Sequence, residues 1–195
     1  MTSIFDYGAG NLRSVQNTLD EIGARYEVVN DAAGLERGEK IILPGVGHFG
    51  QMMRALDSLG VRGALQAQLA SGKPFLGICL GLQALFERSE EAPEVQGLGH
   101  LEGQVKRFPL DARVPHMGWN DLSAKADSRL IEGRPYVYFA HSYYCPVVEG
   151  TSATCDYSGV TYMAVLEAGN VCGVQFHPEK SGPLGLDIVR RFLAC

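Results

Sequence analysis

Four short apolar blocks, at residues 3–6, 25–29, 40–43 and 75–78, are separated by stretches whose apolar residues return at helical spacing. Leu12, Val15, Leu19 and Ile22 form one such stripe, and Gly23 follows it as a stop signal. A longer stripe covers residues 49–69, where Gly60 and Gly63 are expected to break it in two, and Pro44 is expected to interrupt the third strand. After the fourth block, residues 80–87 are expected to continue as a helix. Strands alternating with one-faced helices predict an α/β fold: a mostly parallel central sheet with helices on both faces.

The rhythm changes from about residue 105. Residues 136–140, 151–155, 162–167 and 171–176 read as extended, with Ala168-Gly169-Asn170 as a hairpin turn between the last two. A closing helix places Leu186, Val189 and Phe192 on one face. The C-terminal half is therefore predicted to be more antiparallel. With no internal repeat or linker, residues 1–195 read as one domain.

Hydrophobic residues make up 46% and charged residues 20%, which excludes a disordered chain and supplies a real core. Lys and Arg number 17 against 22 Asp and Glu, a formal net charge of −5 without a basic run, so neither nucleic acid nor a membrane is an expected partner. The first residues lack the basic flank of a signal peptide, and the longest nearly apolar run, residues 74–86, is too short to span a bilayer. Five cysteines with no C-x-x-C pair argue against a disulfide framework or a zinc knuckle. A cytoplasmic protein is the expectation.

The strongest chemical signal is Gly77-Ile78-Cys79-Leu80-Gly81, which follows an apolar strand and opens a helix. It matches a G-x-S-x-G nucleophile elbow with Cys in place of Ser. Glycines there let the chain double back sharply. The helix N-terminus would lower the thiol pKa, and its free N–H groups, Leu80 first, would bind an oxyanion. The plainer alternative is a buried cysteine ending a core strand.

A cysteine nucleophile needs a base and a group that orients it. Of His48, His100, His116, His141 and His177, the last stands out, because it ends an apolar run directly before Pro178 and Glu179. An extended segment there points His177 and Glu179 the same way, so the carboxylate can hold the imidazole in the tautomer that takes the thiol proton. Gly45, Gly47 and Gly50 match the dinucleotide pattern G-x-G-x-x-G. The same glycines equally suit a loop that brings N–H groups to an oxyanion beside Cys79, or a simple turn. Gly8-Ala9-Gly10 reads as a tight surface turn or a loop that meets a partner. No motif suggests a catalytic metal, and no cofactor is expected. Trp119, the only tryptophan, forms with Met117, Gly118 and Asn120 either a packed surface loop or a protein contact site.

Together, Gly77-Ile78-Cys79-Leu80-Gly81-Leu82-Gln83, Phe176-His177-Pro178-Glu179 and Leu43-Pro44-Gly45 resemble the class I glutamine amidotransferases, and the resemblance runs the whole length. Asp6-Tyr7-Gly8-Ala9-Gly10-Asn11-Leu12, Pro44-Gly45-Val46-Gly47, His116-Met117-Gly118-Trp119-Asn120, Phe139-Ala140-His141-Ser142-Tyr143-Tyr144 and His177-Pro178-Glu179-Lys180-Ser181 are similar to the branch that serves imidazole glycerol phosphate synthase. Leu82 and Val46, where other members commonly carry His and Pro, favour that branch.

The resemblance implies glutamine hydrolysis to glutamate and ammonia by a Cys79-His177-Glu179 triad. It implies an oxyanion hole from Leu80 and the Val46-Gly47 backbone, and glutamine held by Gly47, Gln83, Ser142 and Tyr143. It further implies a heterodimer with a (β/α)8-barrel cyclase, faced by Asn11, Trp119, Asn120, Tyr138 and Lys180. That partner would use the ammonia to convert N'-[(5-phosphoribulosyl)formimino]-AICAR-phosphate to imidazole glycerol phosphate and AICAR in histidine biosynthesis. Glycines on both sides of Val46 permit a peptide flip, so the loop is expected to complete the hole only when the partner holds substrate. A glutaminase subunit of another ammonia-channelling synthase, a dinucleotide-binding enzyme, a non-catalytic interaction domain and a thiol peptidase are the rival readings.

Overall fold

Each apolar block of the N-terminal half becomes a strand in the computed structural model, which describes residues 1–195: β1 (Thr2–Phe5), β2 (Tyr26–Val29), β3 (Lys40–Gly45) and β4 (Phe75–Cys79). Between them lie α1 (Leu12–Glu21), α2 (Ala32–Arg37), α3 (Phe49–Ser58) and α4 (Arg62–Ala70), and a single turn, α5 (Leu80–Gln83), follows β4. The C-terminal half adds β5 (Phe86–Ser89), β6 (Leu101–Arg107), β7 (His116–Asp121), β8 (Ser123–Ala124), β9 (Tyr136–His141) and β10 (Tyr143–Tyr144). Then come β11 (Thr151–Tyr157), β12 (Val160–Ala168), β13 (Val171–Val174), a 3₁₀ turn at Pro178–Lys180 and α6 (Gly182–Ala194).

The main sheet has eight strands in the order β2-β1-β3-β4-β13-β12-β11-β8. Pairing is parallel from β2 through β13 and antiparallel from there outward. Successive side chains of a strand point to opposite faces, and here both faces are covered. Ile41, Leu43 and Phe75 join Met52, Leu56 and Leu65 of α3 and α4 on one face. Ile42, Leu76 and Ile78 join Val15, Leu19, Ile188 and Phe192 of α1 and α6 on the other. Each of these side chains contributes about 1.5–3 kcal/mol by leaving water, which is why the blocks read as continuously apolar. A β10-β6-β5 sheet and a β7-β9 ribbon complete the fold. No helix is long and apolar enough to cross a membrane.

The structure departs from the sequence pattern in local and explicable ways. Pro44 does not interrupt β3, which runs to Gly45 with Pro44 opposite Ile78. The β1–β3 ladder ends at Ile4–Ile42, so the missing proline N–H costs no ladder bond there. Residues 80–87 do not form one helix. After α5 the carbonyls of Ala84, Leu85 and Glu87 are taken by the N–H groups of Leu98, His100 and Gly97, and the chain extends into β5. Of the two glycines expected to split the long helix only Gly60, at φ +67°, does so, while Gly63 lies inside α4. The closing helix buries Gly185, Ile188, Val189 and Phe192, with Leu186 half-buried at the margin.

Candidate active site

Cys79 sits at the sharp join of β4 and α5, at φ +53°, a left-handed conformation that costs a non-glycine residue about 1–3 kcal/mol. Two glycines make the join possible. A Cβ at Gly77 falls 2.7 Å from the Gly81 carbonyl, and one at Gly81 falls 1.9 Å from the Leu43 carbonyl oxygen. The turn is locked between β3 and β4, and it holds Cys79 almost fully buried.

Because β13 runs parallel to β4 with Val174 opposite Ile78, the residues after β13 arrive beside Cys79. Gln175 brings its amide Nε2 to 3.8 Å from the sulfur. His177 follows, its main-chain N–H donating to the Tyr138 carbonyl at 2.9 Å. The segment is not extended through Glu179, as the sequence pattern suggested. It folds at once into the 3₁₀ turn, and this curl brings Glu179 Oε1 to 2.9 Å from His177 Nδ1. Both side chains are buried. Burial alone would lower the imidazole pKa, but the neighbouring charges of Cys79 and Glu179 outweigh it and raise the value to about 10. With Nδ1 engaged by the carboxylate, Nε2 is the free ring atom. The helix expected over residues 80–87 is a single turn after Cys79, so its dipole supplies little at the sulfur.

A cavity of about 180 Å³ opens over the sulfur. Val46, Gly47, Leu80, Gln83, Ser142 and Tyr143, all singled out in the sequence, line it together with Cys79. The volume is below the roughly 300–1,000 Å³ of pockets for larger ligands, which disfavours a dinucleotide. Two glycines of the G-x-G-x-x-G match have packing reasons, and Gly47 sits at φ +100° with open space around it. A Cβ at Gly45 meets Leu80 at 2.9 Å, and one at Gly50 meets Ala92 at 2.9 Å.

Three further residues reach the site: Glu91 and Gln175 carry no periodic or motif signal, and Tyr7 stands in the Asp6–Leu12 motif with no sign there of what it does. Glu91, the one acidic side chain of the lining, accepts from the Phe49 N–H at 2.7 Å. Gln175 reads in the sequence as part of an apolar run. Tyr7 places its hydroxyl against both ends of Val46, accepting from the Val46 N–H at 3.2 Å and donating to the Val46 carbonyl at 3.1 Å. Val46 therefore lines the cavity with its N–H already bonded.

The residues expected at a partner face divide. Trp119 is 56% exposed and its neighbour Met117 is 64% exposed. Trp119 meets the Tyr138 ring edge-on at 6.2 Å, and Lys180 Nζ lies 5.8 Å from the Tyr138 ring centre. Asn120 is half-buried beside them. Asn11 instead turns its amide inward and donates to Glu179 Oε1 at 3.3 Å.

The chain is similar to known proteins along its whole length. The family model described as glutamine amidotransferase class-I matches residues 3–194. Imidazole glycerol phosphate synthase subunit HisH of Methanothermobacter thermautotrophicus is 48% identical, covering 99% of this chain and 98% of that one. Imidazole glycerol phosphate synthase hisHF, chloroplastic, of Arabidopsis thaliana is 44% identical over 99% of this chain but 34% of its own length. A solved glutamine amidotransferase structure superposes with a TM-score of 0.79 at 21% identity, covering 99% of this chain and 97% of that one, and so speaks to the fold.

Proposed function

Because this chain belongs to the class-I glutamine amidotransferases and to their HisH family, we propose that the cavity over Cys79 hydrolyses glutamine by a Cys79-His177-Glu179 triad. The observation that carries this reading is the buried imidazole of His177, held by Glu179 at 2.9 Å on the segment that β13 delivers beside Cys79. Cys79 passes its thiol proton to His177 as Sγ adds to the side-chain amide carbon, and the negative oxygen that forms is met by backbone N–H groups, Leu80 first. His177 gives a proton to the amide nitrogen as the C–N bond breaks, so ammonia leaves and a thioester remains. Water then loses a proton to His177 and adds to the thioester carbon. Glutamate departs and the sulfur is restored. Glu179 orients the imidazole throughout, and its contact with Asn11 fixes the carboxylate in turn. Gly47, Gln83, Ser142 and Tyr143 hold the substrate, and Glu91 supplies a negative charge suited to its ammonium group.

Val46 and Gly47 complete the oxyanion hole only after the Val46 N–H leaves Tyr7. Membership of a synthase-subunit family implies a cyclase partner. We take it to be a (β/α)8 barrel that receives ammonia through a tunnel and forms imidazole glycerol phosphate and AICAR. Trp119, Asn120, Tyr138 and Lys180 give the contact face, with Asn11 just behind it. The remaining length of the chloroplastic relative fits the same partner joined in one chain. Residues 1–195 act as one amidotransferase unit, supported by a family match from residue 3 to 194. Four buried free cysteines suit the reducing cytoplasm.

Assembled with the cyclase subunit and its nucleotide substrate, the chain is expected to release glutamate from glutamine. Cys79→Ala and His177→Ala each lower that rate by about 10³-fold or more. A glutamine-analogue alkylating agent labels Cys79 one to one, and only when His177 is present. Full hydrolysis by Cys79→Ala would overturn the reading.

A further inference from the structure

Resting on the glutaminase reading, we propose that Tyr162 is a positioning residue of the glutamine pocket, the centre of a buried hydrogen-bond chain joining the inner side of β7 to the pocket wall. The chain begins at Asn120, next to Trp119, whose Nδ2 lies 3.5 Å from His116 Nε2. His116 Nδ1 lies 3.1 Å from the Tyr162 hydroxyl, which lies 3.3 Å from His141 Nε2. His141 Nδ1 lies 2.8 Å from the Tyr143 carbonyl. The same carbonyl accepts from Gln83 Nε2 at 2.8 Å, and the second hydrogen of that amide goes to Gln175 Oε1 at 3.2 Å. Gln175 Nε2 then faces the Cys79 sulfur at 3.8 Å. Tyr143, Gln83 and His141 all line the cavity over Cys79.

The ends of the chain fix every proton in it. A carbonyl only accepts, so His141 Nδ1 carries the hydrogen and Nε2 is an acceptor. The single hydroxyl hydrogen of Tyr162 therefore points to His141, and its oxygen accepts from His116 Nδ1–H. That leaves His116 Nε2 to accept from the Asn120 amide. Both rings are neutral in this arrangement. Burial pushes His141 down to about 3, outweighing the Tyr143 carbonyl that raises it, and pushes His116 down to about 4. Burial also pushes the Tyr162 hydroxyl up, which keeps it protonated.

The surroundings make the polar chain costly unless it positions something. Phe139 stacks on His116 at 4.7 Å, and Phe108 lies 5.6 Å from Tyr162, so apolar side chains could fill this core. A satisfied network instead fixes one geometry, and no buried side-chain atom of this hydrogen-bond chain lacks a partner. What it fixes is the carbonyl of Tyr143 and, through Gln83 and Gln175, the amides around the sulfur.

Two measurements test this. Long-range ¹H–¹⁵N spectra of the labelled full chain at neutral pH should show His116 and His141 both as Nδ1–H tautomers, and an Nε2–H tautomer at either ring overturns the chain. In the complex with the cyclase subunit, Tyr162→Phe, which leaves both His116 Nδ1–H and His141 Nε2 unpaired, should raise the glutamine KM about three- to tenfold, with kcat within about twofold. An unchanged KM, or a loss confined to kcat, overturns the positioning role while wild-type glutamine hydrolysis stands. A wild-type complex that hydrolyses no glutamine overturns the underlying reading, and the inference with it.

Discussion

Cys79 owes its reach to a backbone conformation that an L residue avoids, and the residues around it decide whether the sulfur is useful. The motif around Cys79 was legible in the sequence because the glycines that tolerate the turn stand at fixed offsets from it. The pairing of His177 with Glu179 was legible too, but for a different reason than the true one: the two meet through a 3₁₀ curl rather than along an extended strand. Tyr7 was not legible, since one hydroxyl meeting one distant peptide leaves no pattern. Its bonds to Val46 lead to a prediction at this scale. Tyr7→Phe keeps the ring but frees the Val46 N–H, so glutaminase activity without the cyclase subunit should rise about tenfold, the equivalent of ~1.4 kcal/mol. Glutamate release by the isolated chain measures this, and unchanged or lower activity counts against a latch.

At the scale of elements, the register between β13 and β4 brings His177 and Glu179 beside Cys79, and the packing of α5 against β3 holds the turn that carries the sulfur. Parallel pairing of distant strands depends on the whole sheet, so the alternating pattern announced the strands but not which strands adjoin. The single-turn length of α5 escaped the pattern for a related reason. Leu80, Leu82, Leu85 and Phe86 are all buried, and an all-buried run has no exposed face to mark a helical period. Gly81 is the tightest point of the α5–β3 contact. Gly81→Ala should cost about 3 kcal/mol or more, because its Cβ has backbone rather than a flexible side chain to displace. The urea midpoint of unfolding reads this, and a shift smaller than that of an ordinary surface substitution would show that the join is looser than described.

Across the whole molecule, apolar strands buried on both faces leave the polar chemistry to the ends and to one inner chain through His116, Tyr162 and His141. That chain makes the fold sensitive to acid. His141 has a folded pKa of about 3 against 6.5 when unfolded, so its neutral form supports the native state fully above pH 6.5. The support is lost as pH falls toward 3, because the unfolded chain takes up a proton that the native one refuses, at about 1.4 kcal/mol per pH unit. Chemical unfolding between pH 7 and 4 should show this slope from His141 and a further one of the same sign from His116, whose folded pKa is about 4, and His141→Gln should roughly halve the total. An equal slope in the variant would assign acid sensitivity elsewhere. By itself the sequence determined the fold class, the elbow at Cys79 and the pairing of His177 with Glu179, because propensity, turn geometry and side-chain chemistry act over a few neighbouring residues. Only the tertiary structure decided that Glu91, Gln175, Tyr7 and Tyr162 belong to the same site, and that the Val46 N–H is already taken. Those facts are distances between residues far apart in the chain, set by strand register and packing.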